Sequence, residues 1–465
     1  MTKVKPELPG GFHDNGPKEM ILKRWILEKM IRIYELYGYN PIETSIVQKR
    51  DVLFGDTQGM GGSEHWTVRR SNAVVSADAT HALAFDQTVP ASRFIAANLD
   101  MLPRPFRRWQ LGWAHRAEKP QAGRFCGFTQ LDFDIFFVNS IKADAEVLAI
   151  MIDLLNALEL PGFTIHVNDR RLSDLLPDLA GFDQSQLWPV MRVIDKISKI
   201  GLENVIAQLA GKSIIIGDQE VQSDVQIPSS SVDVIERLIN ITGSNNHVFA
   251  ELRRLFASID LANQIIDEDE QMLRLAGIMQ TSGNLDNVKF NPSVVRGLSY
   301  YTGPVFEAEL TGMIGERDLA LFGSIVAGGR FDELLNRFVD ANVAGVGASI
   351  GVDRLLVPMQ LIRKHLKQTT AQVLITILDP SRTEEYFKIA AGIRAAGVNT
   401  VVYMGEEMSF KAQMAFATKQ EIPLVVIAGD ELDTGEVSLK YMNREHPQER
   451  IKIVDLPGHI ANYLT

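Results

Sequence analysis

The stretch that decides the fold is Trp113–Phe137, WAHRAEKPQAGRFCGFTQLDFDIFF. From Phe128 to Phe136 the side chains alternate in character, which predicts a β-strand because successive strand residues point to opposite faces. The apolar face consists of Leu131, Phe133 and Ile135, and the other face consists of Phe128, Gln130, Asp132 and Asp134. Unpaired carboxylates are costly to bury. We therefore expect the second face to hold partner groups or a ligand.

The first half of this stretch predicts a hairpin with an arginine on each side of its loop. Arg116 and Arg124 flank the loop Lys119–Gly123, which contains a proline and a glycine. We expect the hairpin to fold both guanidinium groups back over the strand. Arginine suits phosphate oxygens, the ring of Phe128 suits a nucleobase, and carboxylates suit a cationic small molecule. The pattern therefore favours a nucleotide and an amino acid bound side by side.

Length and composition are those of a large globular protein. The chain has 465 residues, 46% hydrophobic and 23% charged, so it is long enough for two or three domains. The single cysteine, Cys126, excludes an internal disulfide framework and fits a reducing compartment. No apolar run approaches the roughly 20 residues of a membrane span, and the N-terminus does not resemble a secretory signal. We expect a cytoplasmic protein that does not contact a membrane.

The distribution of charge narrows the class of partner. A net charge of −11 argues against a protein that coats nucleic acid electrostatically. One segment is nevertheless basic, with a single acidic residue, Glu118, among Arg104, Arg107, Arg108, Arg116, Lys119 and Arg124. An acidic protein with one basic cleft is suited to selective capture of a polyanion. A solvated basic face is the alternative interpretation of the same segment.

Four segments carry a resemblance to a known family. In chain order they are Leu83–Pro90 (LAFDQTVP), Arg116–Asp134, Val295–Gly303 (VRGLSYYTG), and Ala327–Asp332 (AGGRFD) with Gly345–Arg354. They resemble the class II aminoacyl-tRNA synthetases, in the version found in the histidyl-tRNA synthetase family, and the match runs from Pro9 almost to the C-terminus. The second segment resembles motif 2, and the last resembles motif 3. The implied fold is α+β: an antiparallel sheet core with helices, a helical insertion, and a C-terminal α/β domain similar to the anticodon-binding domain.

The resemblance implies a two-step reaction in which histidine and ATP form histidyl-adenylate and the histidyl group then passes to tRNA(His). Arg116 and Arg296 are the implied catalytic residues, and Mg²⁺ is implied on the outer phosphates with no metal-binding side chains assigned. The residues implied to bind ATP are Arg116, Glu118, Arg124, Phe128 and Arg354. The residues implied to bind histidine are Asp86, Thr88, Gln130, Asp134, Arg296, Tyr300 and Tyr301.

Different members of the histidine set are implied for the two ends of the substrate. Asp86, Thr88 and Gln130 would take the amine. Asp134 and Tyr301 would bracket the ring nitrogens, one accepting a hydrogen bond and the other donating or accepting. Two alternatives stay open, since Asp86 could be a turn residue and the two adjacent tyrosines could be core aromatics.

Motif 3 is expected to supply a clamp for the phosphate tail. Arg354 is placed there in a helix whose Gly347 and Gly351 share one face. Those glycines would admit a close backbone approach.

Periodicity predicts how the remaining chain is organised. A helix is predicted from Pro17 to Gly38, with one apolar stripe formed by Leu22, Ile26, Met30, Ile33 and Tyr37. After residue 370, three apolar runs alternate with two predicted helices, which favours a mostly parallel sheet. These runs are Val373–Leu378, Val398–Met404 and Pro423–Ala428.

The domain boundaries follow from these patterns. Residues 1–172 with 289–365 are predicted to form the catalytic domain, 173–288 the helical insertion, and 371–465 the C-terminal α/β domain. The first helix and the strand after it resemble motif 1, which implies a homodimer.

Several positions depart from the family pattern. Ser299 stands where an acidic residue is usual, and Cys126, Gly127 and Thr129 replace polar or basic residues of the motif 2 loop. They leave open whether full aminoacylation activity is kept.

The first hypothesis is a histidine–tRNA ligase. The alternative is a non-catalytic, histidine-binding regulatory subunit of ATP phosphoribosyltransferase, and a third possibility is a class II enzyme for another amino acid. The C-terminal domain favours the ligase, because such regulators generally lack it.

Overall fold

The structure is a computed structural model that describes residues 4–54, 66–68, 80–117, 125–217, 219–295, 300–363, 366–443 and 446–464. Tertiary contacts divide the chain into two units. The first comprises residues 1–13 and 26–362, and the second comprises residues 14–25 and 363–465. The stretch predicted as a helical insertion, residues 173–288, belongs to the first unit in this division.

The helices are numbered in chain order. They are α1 (Pro17–Leu36), α2 (Arg50–Phe54), α3 (Thr88–Ala97), α4 (Ile141–Ala157), α5 (Arg170–Asp174), α6 (Leu176–Ala180), α7 (Leu187–Ile194), α8 (Ile197–Ile200), α9 (Leu202–Leu209), α10 (Ser229–Ile239), α11 (Asn245–Leu255), α12 (Asp260–Met279), α13 (Val352–Ile362), α14 (Thr383–Ala395), α15 (Phe410–Lys419) and α16 (Leu456–Leu464). Within the described ranges, none of them is long and apolar enough to cross a membrane.

The strands are numbered in the same way. They are β1 (Asn40–Pro41), β2 (Val47–Lys49), β3 (Thr67–Val68), β4 (His81–Leu83), β5 (Phe106–His115), β6 (Gly127–Phe136), β7 (Phe163–Asp169), β8 (Ile214–Ile216), β9 (Gln219–Val221), β10 (Val288–Phe290), β11 (Pro304–Leu310), β12 (Met313–Ile314), β13 (Arg317–Asp318), β14 (Ser324–Arg330), β15 (Gly345–Gly351), β16 (Val373–Ile375), β17 (Thr400–Val402), β18 (Leu424–Ile427), β19 (Glu436–Tyr441) and β20 (Glu449–Lys452).

The first unit is built on a mixed eight-stranded sheet in the order β1-β5-β6-β15-β14-β11-β7-β10. Each neighbouring pair between β5 and β7 in this order is antiparallel. The edge strands pair in parallel, β1 with β5 and β10 with β7. The α+β class and the antiparallel core predicted from the sequence are confirmed. The parallel edge strands were not part of that prediction.

Strand β6 confirms the alternation read from the sequence. Leu131, Phe133 and Ile135 are at most 2% exposed and form core on one face. The hairpin with β5 is closed by a hydrogen bond of 2.8 Å from the Arg116 amide to the Cys126 carbonyl. Each buried side chain of this size contributes roughly 1.5–3 kcal/mol to folding, so this face fixes the orientation of the strand.

Helix α1 begins at the predicted Pro17, ends at Leu36, two residues before the predicted end, and has a slightly different buried stripe. Leu22, Ile26 and Met30 are buried as predicted. The next buried position is Tyr34, whose ring centroid lies 4.9 Å from that of Phe133, whereas the predicted Ile33 and Tyr37 are only partly buried. The prediction was wrong there because a spacing of four residues continues the same face of the helix.

The stretch from residue 173 to 288 is helical, as predicted, with one addition. It contains the last two residues of α5 and all of α6 to α12, together with the unpredicted hairpin of β8 and β9. Helix α12 packs along α4, the apolar helix that covers one face of the sheet.

The second unit contains a five-stranded sheet in the order β17-β16-β18-β19-β20. Its first three strands are parallel and alternate with α14 and α15, which confirms the prediction from the apolar runs. The antiparallel strands β19 and β20 and helix α16 were not predicted. The buried amide of Gln413 joins α15 to the end of β16 by accepting from the Ile377 amide and donating to its carbonyl, at 2.8 and 2.7 Å.

Candidate active site

Polar side chains line one face of strands β5, β6 and β15. Antiparallel pairing aligns Arg108 with Asp134, and Gln110 with Asp132. On the other side of β6, Ser349 of β15 is aligned with Asp132. Aligned residues of paired strands point to the same face of a sheet. We call this surface the polar face, and it consists of Arg108, Gln110, Gln130, Asp132, Asp134 and Ser349.

Internal contacts satisfy part of the polar face. Gln130 Nε2 donates to Ser349 Oγ at 2.8 Å, and that hydroxyl donates to Asp132 Oδ1. Arg108 forms an ion pair with Asp134. These contacts hold the side chains of three strands in one arrangement.

Other atoms of the polar face are buried without a partner. Arg108 is 0% exposed and Asp134 2%. Among the described residues, no hydrogen-bond partner is found for Nε and Nη1 of Arg108, Oε1 of Gln130 or Oδ2 of Asp132. Buried polar atoms of native proteins nearly always have partners. This set therefore has unused capacity to bind a polar molecule.

Burial also raises the pKa values of the carboxyl groups. It raises the pKa of Asp132 to about 7 and that of Asp134 to about 6, while attraction to Arg108 acts in the opposite direction on both. Burial raises the pKa of Asp86 to about 6 in the same way. Perturbed pKa values of this kind cluster at functional sites.

The residues expected at the amine end lie where α3 begins. Asp86 Oδ1 accepts a hydrogen bond of 3.2 Å from the Val89 amide, so Asp86 also stabilises the helix start. Thr88 is the first residue of α3. Asp86 therefore has the turn role that the sequence left open. Its carboxylate is also attracted electrostatically to Arg116 and Arg108.

Helix α3 is attached to β5 through Gln87. Its Nε2 donates to the Trp113 carbonyl at 2.7 Å, and its Oε1 accepts from Gln110 Nε2. A Cβ atom at Gly112 would lie 2.7 Å from Gln87 Oε1. Glycine at this position allows the amide to reach the strand.

Two glycines make room for the groups expected at the ring end. Gly329 and Gly347 are paired on β14 and β15. A Cβ at Gly329 would lie 2.9 Å from Cδ1 of Tyr301, and a Cβ at Gly347 would collide with the carboxylate of Asp134. Tyr301 and Asp134 therefore lie over adjacent strands on the same face. The hydroxyls of Tyr300 and Tyr301 are 3.5 Å apart.

Two of the residues expected to bind ATP lie together in the hairpin. The guanidinium carbon of Arg116 is 5.3 Å from the ring centroid of Phe128, and its Nε donates to the Phe85 carbonyl at 3.1 Å. The expected fold of this guanidinium over the strand is thus confirmed. Glu118 and Arg124 lie outside the described residues.

The expected arrangement of motif 3 needs one correction. Gly347 and Gly351 lie in strand β15, not in a helix, and α13 begins only at Val352. Arg354 donates from Nε to the Phe322 carbonyl at 2.9 Å. The glycine-rich run forms a strand because it completes the sheet between β6 and β14. Arg296, the second expected catalytic residue, lies outside the described residues.

Sequence reasoning missed the role of Arg108. The basic segment was interpreted as a cleft or a solvated face, but Arg108 is fully buried against Asp134. Arg107 points to the opposite face, where its Nε donates to Glu146 at 2.7 Å. The alternation of residues in β5 could have indicated this role, because the polar residues of β5 that are aligned with those of β6 lie on the same face of the sheet. Gln110 and Ser349 were missed for the same reason.

Comparison with known proteins assigns the chain to a family. The family model described as histidyl-tRNA synthetase matches residues 11–355. The chain belongs to the histidyl-tRNA synthetase family. A second family model, described as an anticodon binding domain, matches residues 372–463, which lie in the second unit.

Individual relatives agree with the family match. The chain is 33% identical to the histidine–tRNA ligase of Bartonella henselae over 94% of its own length and 90% of the relative. It is 34% identical to the histidine–tRNA ligase of Jannaschia sp., with the same coverage. Both relatives are therefore matched across catalytic and C-terminal parts.

Solved structures give the same fold. A histidyl-tRNA synthetase from Nostoc superposes with a TM-score of 0.82 at 28% identity, covering 99% of this chain and all of that one. A protein from Bacillus halodurans, described as an ATP phosphoribosyltransferase regulatory subunit/histidyl-tRNA synthetase, has a TM-score of 0.71 at 20% identity over 92% of this chain and all of that one. The second likeness concerns the fold alone.

Proposed function

We propose that this protein is a histidine–tRNA ligase, which activates histidine with ATP and transfers the histidyl group to tRNA(His). The observation that carries the proposal is the order of groups along one face of β6. Phe128, beside Arg116, begins the row, and Asp134, beside Tyr301, ends it. At about 3.3 Å per residue these ends are roughly 20 Å apart. That span suits an adenine ring at one end and an imidazole at the other.

Arg116 is the proposed catalytic arginine for adenylate formation. In this step the histidine carboxylate attacks the α-phosphorus of ATP, the bond from that phosphorus to the bridging oxygen breaks, pyrophosphate leaves, and negative charge builds on the phosphoryl oxygens. A fixed guanidinium stabilises that charge and brings two anions together. Arg296 is proposed to bridge the carboxylate and the phosphate, and its replacement by alanine is expected to reduce the rate far more than histidine affinity.

The amine and the ring are proposed to bind in separate subsites. Asp86 and Thr88, with Gln130, would accept hydrogen bonds from the ammonium group. Asp134 and Tyr301 would bind the imidazole. An analogue without the ring N–H leaves these buried groups unpaired, and sites of this kind reject such analogues by factors on the order of 10⁴.

The remaining ATP contacts are proposed from the resemblance. Phe128 would stack on adenine, Glu118 would accept from its exocyclic amine, and Arg124 and Arg354 would bind the phosphate tail. Mg²⁺ would neutralise the outer phosphates. Within the described residues, no cluster of three or more His, Cys, Asp or Glu side chains could hold a metal ion, so no step is assigned to it.

The proposal extends to partners and location. The second unit is proposed to bind the tRNA anticodon, although residues 371–465 contain nine basic and thirteen acidic residues and so offer no general electrostatic attraction. We further propose a cytoplasmic homodimer of the class II type. Light scattering should then give about twice the chain mass of 51.8 kDa.

ATP–pyrophosphate exchange with each of the twenty amino acids tests the function. Histidine alone is expected to support exchange, and Arg116→Ala is expected to abolish it. Arg32→Ala, at an exposed position of α1, serves as the matched control. Histidine binding without exchange in the wild-type protein would contradict the ligase and favour the regulatory alternative. Exchange with a different amino acid would contradict the substrate.

A further inference from the structure

We propose that Arg108 is a positioning residue of the histidine site, which keeps Asp134 as an ionised carboxylate and so makes the site select a ring N–H donor. The inference rests on the proposed function, because it takes Asp134 as the group that meets the imidazole. Arg108 itself acts through Asp134.

Asp134 is fixed from two sides. Arg108 approaches it from β5 as an ion pair. On the other side its carboxylate lies over Gly347, where no side chain intervenes, and the ring of Tyr301 lies over the neighbouring Gly329. The carboxylate is therefore held at one place between an arginine and the tyrosine proposed to bind the ring.

The protonation state of Asp134 decides what it can recognise. An ionised carboxylate only accepts hydrogen bonds, whereas a protonated one also donates. A neutral imidazole has one N–H donor and one acceptor nitrogen, so an ionised Asp134 selects the N–H. Burial disfavours the ionised form, since it raises the pKa of Asp134 to about 6 even though Arg108 opposes this effect, and without Arg108 the pKa would lie higher still.

The other titratable groups near Asp134 cannot replace Arg108. The titratable groups that interact electrostatically with Asp134 are Arg108 on β5, Asp132 on β6, Asp86 before α3 and Tyr301 before β11, together with Tyr34 and Tyr39, which pack against Phe133 on the opposite face of the sheet. All except Arg108 are acids, and Asp86 raises the pKa of Asp134 further. Within this set of groups, Arg108 is therefore the one that carries a positive charge.

The test compares pH profiles of kcat/KM for histidine in the exchange reaction. We expect the acid limb of the wild-type protein near pH 6, where Asp134 becomes protonated. In Arg108→Gln the limb should move up by roughly 1–3 pH units, the usual effect of an arginine on a neighbouring aspartate. At pH 7, shifts of 1, 2 and 3 units correspond to losses of about 2-, 10- and 90-fold, and at pH 9 about half or more of the wild-type value should be recovered.

Three further variants separate charge from structure. Arg108→Lys keeps a cation, so its limb should stay near that of the wild type. Arg107→Gln removes the adjacent arginine on the opposite face and should leave the limb in place. Asp134→Asn cannot titrate, so the part of the limb due to Asp134 should vanish. The imidazole of free histidine titrates near pH 6.5 equally with every variant, so only differences between variants are read.

Several outcomes would overturn the inference. An unshifted limb in Arg108→Gln, or an equal loss at every pH, would make Arg108 a purely structural residue. An unchanged limb in Asp134→Asn would overturn it even if Arg108→Gln fails to fold, which thermal melting detects. A wild-type protein without histidine-dependent exchange would instead refute the proposed function, so the two failures are distinguishable.

Discussion

Two buried arginine–aspartate pairs lie on opposite faces of the first unit's sheet, and they differ in how completely they are hydrogen-bonded. Arg330 of β14 makes five hydrogen bonds, to Asp144, Asp332 and the carbonyls of Val138 and Ser140. Arg108 of β5 pairs with Asp134 and has two nitrogens without a partner in the described chain.

The comparison teaches that burial and pairing alone do not distinguish a structural ion pair from a functional one. A buried ion pair stabilises only when its remaining donors are also satisfied. Arg330 meets this condition and ties β14 to α4. Arg108 does not, so its pair is better explained by what it does for a ligand.

The largest effect is expected from Arg330→Gln. Removing this guanidinium leaves Asp144 buried without its partner, and the free energy of unfolding should fall by roughly 3–5 kcal/mol. Urea denaturation measures this change. Arg107→Gln, whose pair with Glu146 is partly exposed, is the control and should cost about 1 kcal/mol or less. Equal losses of unfolding free energy for Arg330→Gln and Arg107→Gln would contradict the structural role assigned to Arg330.

Asp134→Asn and Asp144→Asn should separate activity from stability. The first variant loses a charged acceptor of the substrate, so kcat/KM for histidine should fall by roughly 10- to 150-fold, which corresponds to 1.5–3 kcal/mol. The second should lower stability with little change in kcat/KM at 20 °C or below. Exchange kinetics and urea midpoints on both proteins check this. If Asp144→Asn were the less active of the two, the assignment of the two faces would be wrong.

Tyr301→Phe should have a smaller effect. The ring stays over Gly329, but the hydroxyl is lost, and a neutral hydrogen bond contributes about 0.5–1.5 kcal/mol. KM for histidine should therefore rise by roughly 2- to 10-fold. Tyr300→Phe is the comparison variant, because the substitution removes the hydroxyl of a second residue implied to bind histidine, one for which no contact to the ring is proposed. A larger effect from Tyr300→Phe would exchange the roles of the two tyrosines.

The smallest effect concerns stability and pH. Burial raises the pKa of Asp132 to about 7, above its value in an unfolded chain. The folded state then binds more protons than the unfolded state between about pH 4 and 7, so this residue's cost to stability is present above pH 7 and is relieved as the pH falls.

Asp132→Asn should remove that dependence. The gain of the variant relative to the wild type should be on the order of 1 kcal/mol larger at pH 8 than at pH 6. Urea midpoints at the two pH values give the difference. Asp178→Asn, at an exposed position of α6, should show no such pH dependence. A gain for Asp132→Asn that is the same at both pH values would contradict the ionised state assumed here.

The sequence predicted the elements whose period was clear. Strand β6 and helix α1 follow directly from alternation and from a four-residue stripe, and so do the parallel strands of the second unit. Gly347 and Gly351 were misassigned to a helix, because glycine carries no side-chain pattern and only the partners of β15 in the sheet decide its conformation.

The candidate site was predicted as a set of residues, and its internal pairing was not. Gln130 and Asp134 were found from one strand, but Arg108 lies 26 positions before Asp134 and meets it only through strand register. Register depends on which strands pair and where the hairpin turns, which a single strand does not specify. The burial of the polar face, which includes all of its residues except the partly exposed Ser349, has the same origin.

The amide of Gln87 has a consequence for substrate length. It fastens the start of α3, with Asp86 and Thr88, to the strand that carries Arg108. The subsites proposed for the ammonium group and for the imidazole are thus parts of one rigid frame, and their separation cannot adjust to the molecule that enters. A homologue of histidine with one additional methylene would carry the correct groups and still fail to reach both ends.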